Sequence, residues 1–206
     1  MKQIPPIEFI NRNKIYAVVR GESPDRVVEI AEAIISGGIK AIEITVEQGA
    51  LLPAVKELSK NNDVIIAAGG IITAQRAQEA IDNGAQIIVS PVLQNGLIKY
   101  CVGAGVPHIA TDTTQNEAYM AWKARIPLIK ISPAKSMGQV TYLEDLLRPM
   151  PFLNLMPAGG ITHETFIDYL RAGAAAVALG RCLYKDIPLE ETKRRAQQAV
   201  ETLKSC

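Results

Sequence analysis

Residues 68–91 read AGGIITAQRAQEAIDNGAQIIVSP, and residues 158–180 read AGGITHETFIDYLRAGAAAVALG. Each segment passes from a strand end through a glycine turn into a helix, then through Asn83-Gly84-Ala85 or Ala172-Gly173-Ala174 into a second β-branched run. The two copies start 90 residues apart in a chain of 206. Units three and four of the chain therefore resemble units seven and eight, as the pseudo-equivalent halves of a closed barrel would.

Outward from this repeat, short apolar runs recur as IYAVV (15–19), KAIEITV (40–46), VIIAA (64–68), QIIVS (86–90), VPHIA (106–110), PLIKIS (127–132), FLNLM (152–156) and AAVAL (175–179). Between them lie amphipathic stretches, with Ser23, Thr73 and Thr162 as expected N-caps and Pro24 in a first helical turn. The runs are apolar on both faces, as parallel strands covered on both sides are. Eight strand–helix units of about 25 residues each predict an α/β fold, a (β/α)8 TIM barrel, with residues 1–206 as a single domain. A doubly wound open sheet is the alternative that strand–helix alternation also permits. Trp122, Tyr119 and Met120 read as the packing face of an outer helix.

Composition narrows the function classes. Hydrophobic residues make up 48% of the chain, enough for a sizeable core, and 22 Lys plus Arg against 21 Asp plus Glu leave a net charge of +1. That balance speaks against nucleic acid or an anionic membrane as partner. The three cysteines, Cys101, Cys182 and Cys206, are odd in number and lack CxxC spacing, which points away from a disulfide framework or zinc site and toward a reducing cytoplasm. No apolar run at the start resembles a signal peptide, and none elsewhere is long enough to span a bilayer. A cytoplasmic enzyme without metal or other cofactor is the expectation.

Barrel enzymes place their chemistry at the C-terminal strand ends. Three charged residues sit inside apolar strand sequence: Arg20 after IYAVV, Glu43 in AIEIT and Lys130 in LIKIS. Alternation sets Glu43 opposite Ile42 and Ile44, and Lys130 opposite Ile129 and Ile131, so isoleucines under the helices would leave both charges pointing into the barrel. Burial disfavours an ammonium, and a neutral lysine amine can attack a ketone. The iminium so formed stabilises an α-carbanion, and Glu43 could move the protons. A structural ion pair with Arg20 at the rim is the competing reading. The glycine turns PAGGIT (157–162) and LGRC (179–182) follow strands seven and eight, where barrels commonly bind phosphate. Gly159, Gly160, Gly180 and Arg181 are therefore candidate anion-binding residues. His108 and His163 read as structural or surface residues, and Asp112, at the strand-five mouth, reads either as a loop cap or as a substrate contact.

With these residues in place, the chain resembles the 2-keto-3-deoxy-6-phosphogluconate / 4-hydroxy-2-oxoglutarate aldolases, class I pyruvate aldolases that are small (β/α)8 barrels and commonly trimers. The likeness runs from AVVRG (17–21) to the final helix, through GG-IKAIEIT (37–45), GAQIIVSP (84–91), LIKISPA (128–134) and AGGIT (158–162). The resemblance implies Lys130 as Schiff-base lysine, Glu43 as general acid/base, Arg20 as a substrate contact, and Gly70 and Pro91 as further substrate-binding positions. It implies a homotrimer acting on a small anionic 2-keto acid, with or without a phosphate. Departures cluster at the substrate: Gly70 stands where the family usually has threonine, Glu47 where many members carry arginine, Ser132 where an aromatic is usual, and Gly180-Arg181 at a turn that usually contains serine. Two rivals follow from them, a phosphate-binding epimerase or synthase without a covalent intermediate, and a non-catalytic aldolase-like ligand-binding protein.

Overall fold

The computed structural model describes residues 4–46 and 49–205. Its strands are β1 (Ile15–Val19), β2 (Ala41–Thr45), β3 (Ile65–Gly69), β4 (Ile87–Ser90), β5 (His108–Asp112), β6 (Ile129–Ile131), β7 (Leu155–Pro157) and β8 (Val177–Leu179). All pair in parallel, in the order 7-6-5-4-3-2-1-8. The β1–β8 pairing and a parallel bridge between Ala158 and Ala178 bring the ends of the sheet together. The Ala175 N–H also donates to the Leu155 carbonyl at 2.9 Å across that seam. The arrangement is a (β/α)8 barrel, and the open-sheet alternative is ruled out.

Alternate strand residues serve two cores. Ile42, Ile44, Ile66, Ile88, Ile129 and Ile131 pack outward under the helices. Tyr16, Ala41, Ala67, Val89, Ile109 and Met156 fill the interior, together with Ile10 of helix α1 (Pro6–Asn13), which enters from the N-terminal side. Alanine at 41, 67, 158, 176 and 178 suits so narrow a space.

The outer helices are α2 (Pro24–Ser36), α3 (Leu52–Leu58), α4 (Ala74–Asp82), α5 (Asn95–Ala104), α6 (Gln115–Lys123), α7 (Gln139–Leu147), α8 (Phe166–Arg171) and α9 (Leu189–Lys204). Ser23 and Thr73 cap α2 and α4, accepting from the backbone N–H of Arg26 and Arg76. Thr162 does not cap α8. It opens a turn that delays the helix to Phe166, its hydroxyl accepting from the Glu164 N–H at 3.3 Å while Thr165 takes the N-cap position. Helix α9 packs on α2 where Gly37 leaves room: a Cβ at Gly37 would lie 2.5 Å from Ala196 Cβ and 2.6 Å from the Lys193 carbonyl oxygen.

Two expectations are corrected. Helix α6 buries Ala118 and Ala121, while Tyr119, Met120 and Trp122 are exposed and Trp122 packs 4.5 Å from Phe152. Phe152 belongs to that surface cluster, so β7 starts at Leu155 instead of at Phe152. Cys101 is buried and Cys182 half-buried, both as free thiols, and Cys206 lies outside the described residues. Among the described residues no helix is long and apolar enough to cross a membrane.

Candidate active site

Because β2 and β6 turn their isoleucines outward, Glu43 and Lys130 meet inside the barrel. Lys130 Nζ donates to Glu43 Oε2 at 2.7 Å, with side-chain exposures of 9% and 3%. Placing both ions in such a confined setting is costly, and the pairing offsets much of that cost. Their position is set by backbone register: Glu43 lies beside Val18 and Ala67, Lys130 beside Thr111 and Met156. Gly69 supplies the remaining room, since a Cβ there would sit 2.3 Å from Glu43 Oε1 and 2.8 Å from Cδ.

Above Lys130 opens a cavity of about 460 Å³ lined by Arg20, Ser132, Gly159, Gly160, Gly180 and Arg181, among others. Gly159 and Gly160 adopt φ values of 90° and 79°, conformations that carry a side chain only with strain. The loop after β6 folds onto them, with the Ala134 N–H donating to the Ala158 carbonyl at 2.8 Å and the Lys135 N–H to the Gly159 carbonyl at 3.0 Å. Arg181 opens a 3-10 turn (Arg181–Leu183) directly after β8. The Tyr184 hydroxyl accepts from the Arg20 N–H at 3.0 Å, and burial raises its phenol value against the opposing pull of the Arg20 and Arg181 charges.

The structure thus gathers Arg20, Lys130, Gly159, Gly160, Gly180 and Arg181 around one cavity, with Glu43 paired to Lys130 inside the barrel. Gly70, with φ of 79°, and the exposed Pro91 stand at the same barrel end after β3 and β4, off that lining. The cavity leans toward β1, β6, β7 and β8. Glu47 lies outside the described residues.

Two inward side chains were missed in the sequence. Tyr16 lies one inward position below Val18, fully buried, and its phenol is raised well above the ordinary value by burial and then by the Glu43 carboxylate. Thr45 lies one inward position above Glu43, buried, with no hydrogen-bond partner for Oγ1. Strand alternation around Glu43 was the available signal, but an aromatic or a threonine in a strand reads equally as packing.

Asp112 instead faces the helix layer, where burial and the Glu117 charge push its carboxyl up to about 6. His108 shares that layer at the other end of β5, its Nε2 lying 2.7 Å from Ser90 Oγ, and burial lowers it to about 4. His163 is also buried and lowered, chiefly by desolvation. Among the described residues no three His, Cys, Asp or Glu side chains group as a metal site.

A family model described as "Aldolase: KDPG and KHG aldolase" matches residues 7–199. The chain belongs to this family. The 2-dehydro-3-deoxy-phosphogluconate aldolase of Treponema pallidum (strain Nichols) is 30% identical over 164 residues, covering 79% of this chain and 78% of that protein. The 2-dehydro-3-deoxy-6-phosphogalactonate aldolase of Escherichia coli (strain K12) is 28% identical over 197 residues, 93% of each. A solved structure described as native KDPGal matches with a TM-score of 0.82 at 26% identity, over 93% of this chain and 94% of its own. Within this aldolase family member, the shared architecture extends through the strands that carry Glu43 and Lys130.

Proposed function

We propose that the protein is a class I aldolase that cleaves a 2-keto-4-hydroxy acid to pyruvate and an aldehyde. The Lys130–Glu43 pair at 2.7 Å, buried beside an open cavity, is the observation that carries this reading. Lys130 passes a proton to Glu43, and the freed amine attacks the C2 keto carbon. Glu43 then protonates the carbinolamine oxygen, which leaves as water and gives an iminium. As a carboxylate again, Glu43 takes the C4 hydroxyl proton. The C3–C4 bonding pair moves into the iminium to form an enamine, and the aldehyde departs. Glu43 returns the proton to C3, and water hydrolyses the iminium to pyruvate and free Lys130.

The rest of the cavity fits a second anionic group. Arg181, lining the cavity with Gly180 beside the Gly159–Gly160 turn, suits a carboxylate or phosphate at the far end of the substrate, and Arg20 suits its middle. We infer in addition that residues 1–206 act as one domain in the cytoplasm and as a homotrimer, a state supported by family likeness and tested by light scattering. The function itself is tested by following pyruvate release from a panel of 2-keto-4-hydroxy acids, phosphorylated and not. Lys130→Arg keeps the cation beside Glu43 but cannot form the imine, so it should fold and release no pyruvate. Turnover by that variant at the wild-type rate overturns the covalent mechanism.

A further inference from the structure

Thr45 closes β2 at the barrel mouth. Ala41 faces the interior, Ile42 and Ile44 face the helices, and Glu43 reaches Lys130, so Thr45 points inward about 6.6 Å along the strand beyond Glu43. Its register partner is Gly69, the same residue whose missing side chain accommodates the Glu43 carboxylate. Carboxylate and hydroxyl therefore converge on one level of the barrel. Thr45 is 5% exposed, and its Oγ1 has no hydrogen-bond partner. A hydroxyl left unpaired in a buried position costs stability that an apolar side chain of the same shape would not, and such costs concentrate at functional sites.

We propose that Thr45 Oγ1–H donates a hydrogen bond to the α-carboxylate of the 2-keto acid bound to Lys130. The assignment rests on the Schiff-base reading above. A keto acid joined through C2 to Lys130 Nζ has its carboxylate one bond from the reacting carbon, hence in the immediate neighbourhood of Glu43. Glu43 as a carboxylate offers that group only acceptors and repulsion, and Gly69 and Gly70 offer no side chain. Thr45 brings a donor whose proton is committed to nothing else. Its branched Cβ limits χ1, so the donor is held in place before substrate arrives.

The test compares wild type, Thr45→Val and Thr45→Ser in borohydride trapping, with pyruvate and with hydroxyacetone, a ketone that lacks the carboxylate. Trapped protein is read by intact mass against ketone concentration, and thermal midpoints are recorded in parallel. Thr45→Val should raise the half-saturating pyruvate concentration about tenfold, as expected for one hydrogen bond to a charged acceptor, and leave hydroxyacetone unchanged. Its thermal midpoint should stay level or rise, because the unpaired hydroxyl is gone. Thr45→Ser should restore pyruvate trapping to within about threefold of wild type by keeping that hydrogen bond. Unchanged pyruvate dependence in Thr45→Val, or equal losses with both ketones, overturns the assignment while leaving the Schiff base standing. Failure of the wild type to trap pyruvate overturns the Schiff-base reading, and this assignment falls with it.

Discussion

Gly69→Ala is the sharpest perturbation of the site that leaves both charged residues in place. Gly69 has no left-handed φ, so its backbone accepts alanine, and the whole effect passes through the new methyl. That methyl would lie 2.3 Å from Glu43 Oε1, with Cδ at 2.8 Å and Cγ at 2.9 Å. Real Cβ contacts below 3.0 Å are essentially absent, so the carboxylate must retreat by at least about 0.7 Å. A retreat of that size away from Lys130 takes the 2.7 Å hydrogen bond to the edge of bonding distance. Misplacement by about 1 Å costs on the order of 100-fold in rate, so kcat for pyruvate release should fall between about 10- and 100-fold. Overpacking should lower stability by about 1–3 kcal/mol. Gly96→Ala and Gly103→Ala in α5, where a Cβ meets nothing within 4 Å, serve as controls and should keep full activity. The cost of Gly69→Ala should also shrink in a Glu43→Gln background, since the two changes act on one group. A folded Gly69→Ala enzyme with kcat within about twofold of wild type would refute the placement of Glu43 as the proton-transferring group.

The two ends of β5 should oppose each other in pH dependence. Asp112, raised from 3.8 to about 6, binds its proton more tightly when folded, so its contribution is most favourable below 3.8 and is lost as the pH rises through 6. His108, lowered from 6.5 to about 4, does the reverse: its contribution is present above 6.5 and lost as the pH falls toward 4. Asp112→Asn should therefore raise stability at pH 7 by about 1–2 kcal/mol after discounting for solvent screening, about 2–8 °C in thermal midpoint, and leave a midpoint that declines from pH 6.5 to 4. A pH-independent offset would contradict this. Arg181→Gln should raise KM about tenfold for substrates with an anionic tail and leave pyruvate trapping untouched, whereas equal KM values would remove Arg181 from the site. Gly37→Ala should lower the midpoint by about 3–10 °C through its clash with α9 and leave kcat unchanged, as differential scanning calorimetry and kinetics can check.

The strand pattern, the internal repeat and the three charges in apolar strands were legible because burial on both faces leaves few polar residues to misread. Glu43 and Lys130 followed from the period of two alone, and their meeting across 87 residues needed only barrel closure. What stayed hidden depends on register. Nothing in Ala67-Ala68-Gly69-Gly70 says that Gly69 is empty to admit a carboxylate from the neighbouring strand, and Thr45 and Tyr16 have side chains common in strands. Asp112 was read near the mouth, but its place in β5 turns it to the helix layer. Trp122 and Tyr119 carried a helix-packing signal, yet they stack on each other at the surface, where Trp122 also meets Phe152.

The central claim, a covalent ketimine on Lys130, is tested most directly by reducing the protein with borohydride in the presence of pyruvate, digesting it and mapping the modified peptide. The account predicts one reduced pyruvyl group per chain, on Lys130, and none without pyruvate. An unmodified chain, or a modification confined to another lysine such as Lys14 or Lys135, would contradict it.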